Sequence, residues 1–500
     1  MIDEPNGLLP ILNFDNQTTW DDLTTTAQPH LDSAGAARLK ESLDGIANSV
    51  VIERHYIDRD YRDTFSQYHS KRFITPDSRC IRLHFFDKSL DRSDIKSSEE
   101  LQPSYIGYSV IRPTRPNCIG RTLIKPECRQ TTQGTVCECT ESVSIQGTEL
   151  SISGFPFISQ DADVTVCAQA SLWMLARYFS DRYHLYPETY PVQIGNLTRD
   201  YSVGRLFPSS GLYIWQLAEA LRRLSFAPLL YSRNQYSQIS QQSCHTDNFE
   251  HLLYTYIESG IPVLAAFDNH VVVLFGHVSD YSDLSNMAPE TGCNFIYSSA
   301  LNWAYVGNDD NGIPYQLISN NAAQQQTPSY MSNTINQIEQ FVAPLPEKVF
   351  LPAESFETLV KAILVRPDVG YQQLSPTISA ATPVLRLFLT TGRSYKKRLT
   401  ERGMGNALVE EVYRNLPLPH FIWVCEISQQ SIYPDHVLGE IIWDATRNAY
   451  EPDGWIALHY PEILIVDRGS ALNNPPDLVR FALTGSTNYP IYRSNLRDIP

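Results

Sequence analysis

Residues 258–277 read Glu258-Ser-Gly-Ile-Pro-Val-Leu-Ala-Ala-Phe-Asp-Asn-His-Val-Val-Val-Leu-Phe-Gly-His277, two apolar runs without polar alternation. A strand with one face in water alternates every second residue, so these two runs describe buried strands. The first covers Pro262 to Phe267, Asp268-Asn269 makes a tight turn, and the second covers Val271 to Phe275 with His270 at its head. Any fold for this chain must bury that hairpin.

A second segment needs burial as well. Cys167-Ala-Gln-Ala-Ser-Leu-Trp-Met-Leu-Ala-Arg-Tyr-Phe179 has no Gly or Pro and carries apolar residues on most sides, the pattern of a helix inside the core. The polar loop Gln160-Asp-Ala-Asp-Val-Thr165 precedes it, so Cys167 opens the helix. A thiol at that position is favoured as thiolate by the helix dipole, and more so beside an imidazolium. Taken alone, Cys167 also fits a small core residue, because free cysteine is among the most buried types.

His270 is a polar residue leading an apolar strand, a place where a structural histidine is ordinary. His277 competes with it. Seven residues at ~3.3 Å each separate the two by ~23 Å, so only one can reach a given thiol. The segment Trp303-Ala-Tyr-Val-Gly-Asn-Asp-Asp-Asn-Gly-Ile-Pro314 reads as a short strand running into a polar turn. Its Asn308, Asp309 or Asp310 could hold an imidazole in the required tautomer.

These segments occupy the middle of a 500-residue chain, too long for one core. With 42% hydrophobic and 11% aromatic residues it can fold without disulfides or metals. The expected organisation is an α+β domain at 1–150, the central domain at 151–325, a linker or long loop at 326–346 and another α+β domain at 347–500. In the first domain a helix is expected from Asp32 to Asn48, with strands at Cys80–Phe86 and Tyr105–Ile111. In the last, helices are expected at Glu354–Val365 and Lys397–Asn415, with strands at Val384–Leu389, Phe421–Ile427 and Gly439–Trp443. The linker is read from Asn, Gln, Ser and Pro replacing apolar periodicity, as in Asn320-Asn-Ala-Ala-Gln-Gln-Gln-Thr-Pro328. The roles of both flanking domains are unreadable.

Charge and composition exclude several classes. Acidic residues number 55 against 39 basic ones, a net −16 that repels phosphate backbones, so nucleic acid is not an expected partner. The basic stretch Arg393 to Arg402 reads as a solvated helix face, and Gly403-Met-Gly405 lacks the third glycine of a nucleotide loop. Cys118, Cys128, Cys137 and Cys139 lack the paired spacing of a zinc site. Nothing resembles a signal peptide or approaches the ~20 apolar residues of a membrane span, and the nine cysteines are scattered, so a cytoplasmic location with reduced thiols is expected. Asn16-Gln-Thr18 and Asn196-Leu-Thr198 match the glycosylation pattern, which matters only in a secreted protein.

Taken in order, the central segments resemble the papain-like cysteine peptidase superfamily, and within it the bacteriocin-leader-type peptidases of bacteria. The resemblance rests on Gln160, Cys167 opening a helix, Gly211-Leu212 before the Trp215–Leu224 helix, Gly260-Ile-Pro-Val263, His270 leading a Val-rich strand that closes at Gly276, and Asn308-Asp309. Ala168 stands where that family usually has Gly, Gln160 lies one position further from the cysteine, and Asp310 stands where Pro is common. The resemblance implies a hydrolase of peptide, isopeptide or amide bonds. Cys167 would be the nucleophile, His270 the base and acid, Asp309 (or Asn308) the orienting residue, and Gln160 with the Cys167 backbone N–H the oxyanion donors. It implies a protein or peptide substrate and no metal or organic cofactor. The leader-cleaving role itself is not expected, because those members are joined to membrane exporters. The same dyad also serves transglutaminase-like acyltransferases, and a scaffold protein that keeps the fold without the chemistry is the reading from another class. The flanking domains could then bind a protein partner.

Overall fold

The two apolar runs form the expected hairpin. Val263–Phe267 pairs antiparallel with His270–Ser279, setting Phe267 opposite His270 across the Asp268-Asn269 turn. The structure, a computed structural model, describes residues 9–14, 20–114, 118–128, 134–161, 163–183, 185–201, 205–209, 211–239, 248–289, 294–320, 331–449, 454–467, 477–484 and 487–499. Helices make up 33% and antiparallel sheets 32%, and the strands group in separate sheets, so the chain is α+β.

The hairpin lies inside an eight-stranded sheet whose main path runs Gln316–Ser319, Asn302–Asn308, His270–Ser279, Val263–Phe267, Gln340–Pro346, Phe226–Ser232. Both hairpin strands therefore have neighbours on each side, which satisfies their backbone groups, and their side chains are buried on both faces. The Cys167–Arg182 helix packs on this sheet with every residue from Ala168 to Phe179 buried. Two hydrogen bonds tie it down: Ser171 Oγ donates to the Val271 carbonyl at 2.9 Å, and Tyr178 OH to the Gly260 carbonyl at 2.9 Å.

The sheet draws on segments outside 151–325, which corrects the expected linker. Residues 326–330 lie outside the described residues, but Gln340–Pro346 is an interior strand between Val263–Phe267 and Phe226–Ser232. The Asn and Gln content hid it, because its apolar core, Phe341-Val-Ala-Pro-Leu345, is short. Gly134–Val136 pairs with Gly276 and His277, taking over the edge that Val263 vacates, and Arg497–Ile499 pairs with Gly134–Val136. In the other direction Ile296–Tyr297 pairs parallel with the Pro383–Thr391 strand of the seven-stranded C-terminal sheet. The segment boundaries read from sequence thus do not separate independent sheets.

On the N-terminal side, Ile11–Asn13, Ser49–Tyr56, Cys80–Phe86, Tyr105–Ile111 and Ile119–Ile124 form a five-stranded sheet, with a helix at Ser33–Leu43 inside the expected Asp32–Asn48. Asp32 caps that helix through the Gly35 N–H. The expected Lys397–Asn415 helix is two helices, Gly392–Arg402 and Ala407–Asn415. Gly403 and Gly405, each at φ 66°, turn the chain between them, a conformation only glycine takes without strain. Glu258, on the helix before the hairpin, binds Arg386 Nε at 2.6 Å, and Arg386 Nη1 binds Glu426 at 2.7 Å, so a buried charge chain joins the central and C-terminal sheets.

Candidate active site

Cys167 is the first residue of its 16-residue helix. Val166 precedes it as an N-cap whose side chain cannot accept a hydrogen bond, and no acidic residue occupies the first turn, so the helix start presents N–H groups and a positive field to the sulfur. The loop before it is set by Asp161, whose Oδ1 accepts from the backbone N–H groups of Asp163, Val164 and Thr165 at 3.0, 2.8 and 2.8 Å. Buried Arg112 stands 3.8 Å from the other oxygen and donates to the Ser159 carbonyl at 2.9 Å. Cys167 is half-buried, whereas Cys80, Cys118, Cys137, Cys139 and Cys425 are buried.

His270 begins its strand at the turn, which leaves its ring at the sheet end while the following valines are enclosed. The ring lies beside Cys167, and its Nε2 is 2.9 Å from Asp309 Oδ1. Nδ1 is the ring nitrogen that Asp309 does not engage. Burial works against a charged imidazole here, but the hydrogen bond to Asp309, the neighbouring Cys167 and the charges of Asp309 and Asp310 outweigh it and raise the His270 pKa to about 10. Asp309 moves the opposite way: burial opposes its ionisation, yet the His270 ring, the Asn311 N–H and Arg38 hold it below the ordinary carboxylate range.

The three candidates for the third residue have separate fates. Asn308 is buried and structural, donating to the Pro156 carbonyl at 3.0 Å and accepting from the Tyr315 N–H at 2.9 Å. Asp309 meets the ring. Asp310 is fully buried 3.7 Å from His270 Nε2, with no hydrogen-bond partner on either side-chain oxygen, and burial and the Asp309 charge raise its pKa to about 7. His270, Asp309 and Asp310 are also the one group among the described residues whose ligand atoms lie close enough to hold a metal ion.

Gln160 sits at the edge of this arrangement. Its amide donates to the Asn311 side chain, and the Asn311 N–H donates to Asp309 Oδ1 at 2.9 Å, so Gln160 reaches the turn that carries the carboxylate. His277 stands apart: its Nε2 is 2.5 Å from Glu258 and 3.1 Å from Thr135 Oγ1. Cys118, Cys137 and Cys139 join no metal-sized group, Cys118 being 3.7 Å from Asp32 and Cys139 3.5 Å from the Gly154 carbonyl, while the Cys128 side chain lies outside the described residues. The basic stretch forms an exposed helix face on which Lys396 donates to the Arg414 carbonyl at 3.1 Å and Arg398 pairs with Glu401. Asn16-Gln-Thr18 lies outside the described residues, and Asn196-Leu-Thr198 closes a short helix.

One residue of the site carried no sequence signal. Arg38, on the Ser33–Leu43 helix, donates to the Asp310 carbonyl at 3.1 Å and through Nε to the Gly312 carbonyl at 2.8 Å, fastening the turn from outside. The Asp161 loop did carry a signal, an Asp with Asp163 and Thr165 close behind it just before a helix. Beside His270 a cleft of about 870 Å³ is lined by Ser232, Phe267, Asp268, Asn269, Asn336 and Gln340 among others.

No protein-family model matches this chain, and comparison with curated proteins and with solved structures finds no match either. Among the described residues no helix is long and apolar enough to cross a membrane.

Proposed function

We propose that the chain is a papain-like thiol hydrolase that cleaves a peptide, isopeptide or amide bond through Cys167, His270 and Asp309. The observation that carries this reading is the His270 ring, with Nε2 held 2.9 Å from Asp309, standing beside Cys167 at an uncapped helix start. Three residues 142 positions apart at the extremes would have no packing reason to form a thiol, imidazole and carboxylate series.

The thiolate attacks the carbonyl carbon, and a C–S bond forms as the carbonyl electrons move to oxygen. The backbone N–H groups of the helix start donate to that oxyanion, a contribution of about 3 kcal/mol for one well-placed donor. The tetrahedral adduct then expels the amine, which takes its proton from the His270 imidazolium. Water attacks the resulting thioester with His270 as base, releasing the acid and restoring the thiol. Asp309 keeps the ring oriented throughout. An oxyanion contact from Gln160 requires its amide to leave Asn311. The cleft beside His270 supplies room for the leaving half of a chain-like substrate.

Iodoacetamide at pH 6, with peptide mapping of all cysteines, tests the reading. Burial pushes the thiols of Cys80, Cys118, Cys139 and Cys425 up, and that of Cys137 to about 12, so these sites stay unmodified. Selective labelling of Cys167 that disappears in His270→Ala is the expected result. Labelling of Cys167 at the same rate in both proteins removes the imidazole from the mechanism and the proposal with it.

A further inference from the structure

We propose that His270, Asp309 and Asp310 form a site for an exchangeable divalent metal ion, zinc by preference, whose occupancy arrests the thiol chemistry. The binding part stands on the three side chains alone, and the arrest rests on the hydrolase reading above.

The anomaly that calls for a ligand is Asp310. Its side chain is fully buried and neither carboxylate oxygen has a hydrogen-bond partner. A buried carboxylate without a hydrogen bond is costly, and natural interiors satisfy such groups with close donors or metals. Its Oδ1 lies 3.7 Å from His270 Nε2, and Asp309 Oδ1 lies 2.9 Å from the same nitrogen. One ligand atom from each of the three residues falls within 4.8 Å of the others. Bonds of about 2.1 Å put neighbouring ligand atoms about 3.0–3.4 Å apart, so the cradle needs only small adjustments to close on an ion.

The donor set also narrows the ion. One imidazole and two carboxylates suit zinc and similar transition ions better than magnesium, which prefers oxygen and keeps its waters. Three protein ligands leave a coordination position for water. The Arg38 guanidinium, bonded to the carbonyls of Asp310 and Gly312, adds a positive charge nearby and makes the site weak and exchangeable rather than permanent.

Binding displaces the Nε2 proton to solvent and places the metal in its position. Nδ1 then keeps its proton, so the ring has no free nitrogen to take the thiol's proton and no longer becomes imidazolium, and its neutral N–H is too weak an acid to protonate a leaving amine. The thiol itself is not a ligand, because its sulfur falls outside the group of ligand atoms that lie within 4.8 Å of one another. Removing the sulfur therefore leaves the metal site intact.

The test is zinc titration of the Cys167→Ala protein at pH 7.5 against a chromophoric chelator, beside the same protein carrying Asp310→Asn and beside one carrying Asp310→Ala. One zinc per chain is expected, weakened about tenfold or more by either substitution at Asp310, with near-UV circular dichroism verifying that each variant is folded. Cobalt in place of zinc should give visible absorption bands that vanish in the same variants. No stoichiometric binding in Cys167→Ala, or binding that Asp310→Asn leaves unchanged, overturns the proposal. If the iodoacetamide experiment on metal-free protein fails while zinc still binds through Asp310, the hydrolase reading falls and the metal site stands.

Discussion

The Arg38 guanidinium donates to the carbonyl of Gly312, 274 positions away, at 2.8 Å. The same side chain reaches the carbonyl of Asp310 at 3.1 Å, so a helix of the N-terminal segment fixes the turn on which Asp309 stands. A turn is the least constrained place to put a group that must hold a ring within a fraction of an ångström. Arg38 supplies that constraint through a planar fork on two carbonyls.

Arg38→Ala should therefore leave a folded protein whose Cys167 alkylation at pH 6 is slowed by about 10- to 100-fold. Arg38→Lys, with a point charge in place of the fork, should restore only part of the rate. The readout is the alkylation rate against pH, since loss of Asp309 orientation moves the profile and a simple loss of stability does not.

Asn308 and Asp309 are neighbours with opposite duties, and substitution should separate them. Asn308→Ala strands the Pro156 carbonyl and the Tyr315 N–H in the core, so it should cost about 2–4 kcal/mol in denaturant unfolding while the folded fraction keeps the Cys167 pH profile. Asp309→Asn should shift that profile, because the neutral amide no longer favours the charged ring.

Gly276 sits where the Gly134–Val136 strand meets His270–Ser279. A Cβ there would lie 2.3 Å from the Thr135 carbonyl oxygen and 2.6 Å from the Val136 side chain. Gly276→Ala should cost about 3 kcal/mol by forcing two paired backbones apart, seen as a lower urea midpoint. An unchanged midpoint would mean that the strand from the N-terminal segment does not hold this edge.

Burial holds the His84 pKa down to about 4, with the Arg82 charge acting the same way, against the hydrogen bond and charge of Glu53. Its unfolded value is higher, so between about pH 6.5 and 4 the unfolded chain takes up a proton that the folded one refuses. Stability should thus fall as the pH drops through that window, by about 3 kcal/mol from this residue, and level off below it. Urea unfolding at pH 7 and pH 4 checks this, and His84→Gln should remove that part of the difference.

Local pattern carried much of this protein. Unbroken apolar runs on either side of Asp268-Asn269 require a covered hairpin, and a Gly-free apolar helix opened by Cys167 requires a core position, because burial is the only way such segments escape water. That His270 heads its strand and Cys167 its helix was legible for the same reason: both stand where a polar loop meets an apolar run. Tertiary structure alone decided that Asp309 rather than Asn308 faces the ring, since a shift of one residue at a strand end exchanges inside for outside. It alone brought Gln340–Pro346 into the sheet and Arg38 onto the Gly312 carbonyl. Those contacts join parts of the chain with no sequence periodicity in common, and hydrogen bonds between distant segments leave no local trace in either of them.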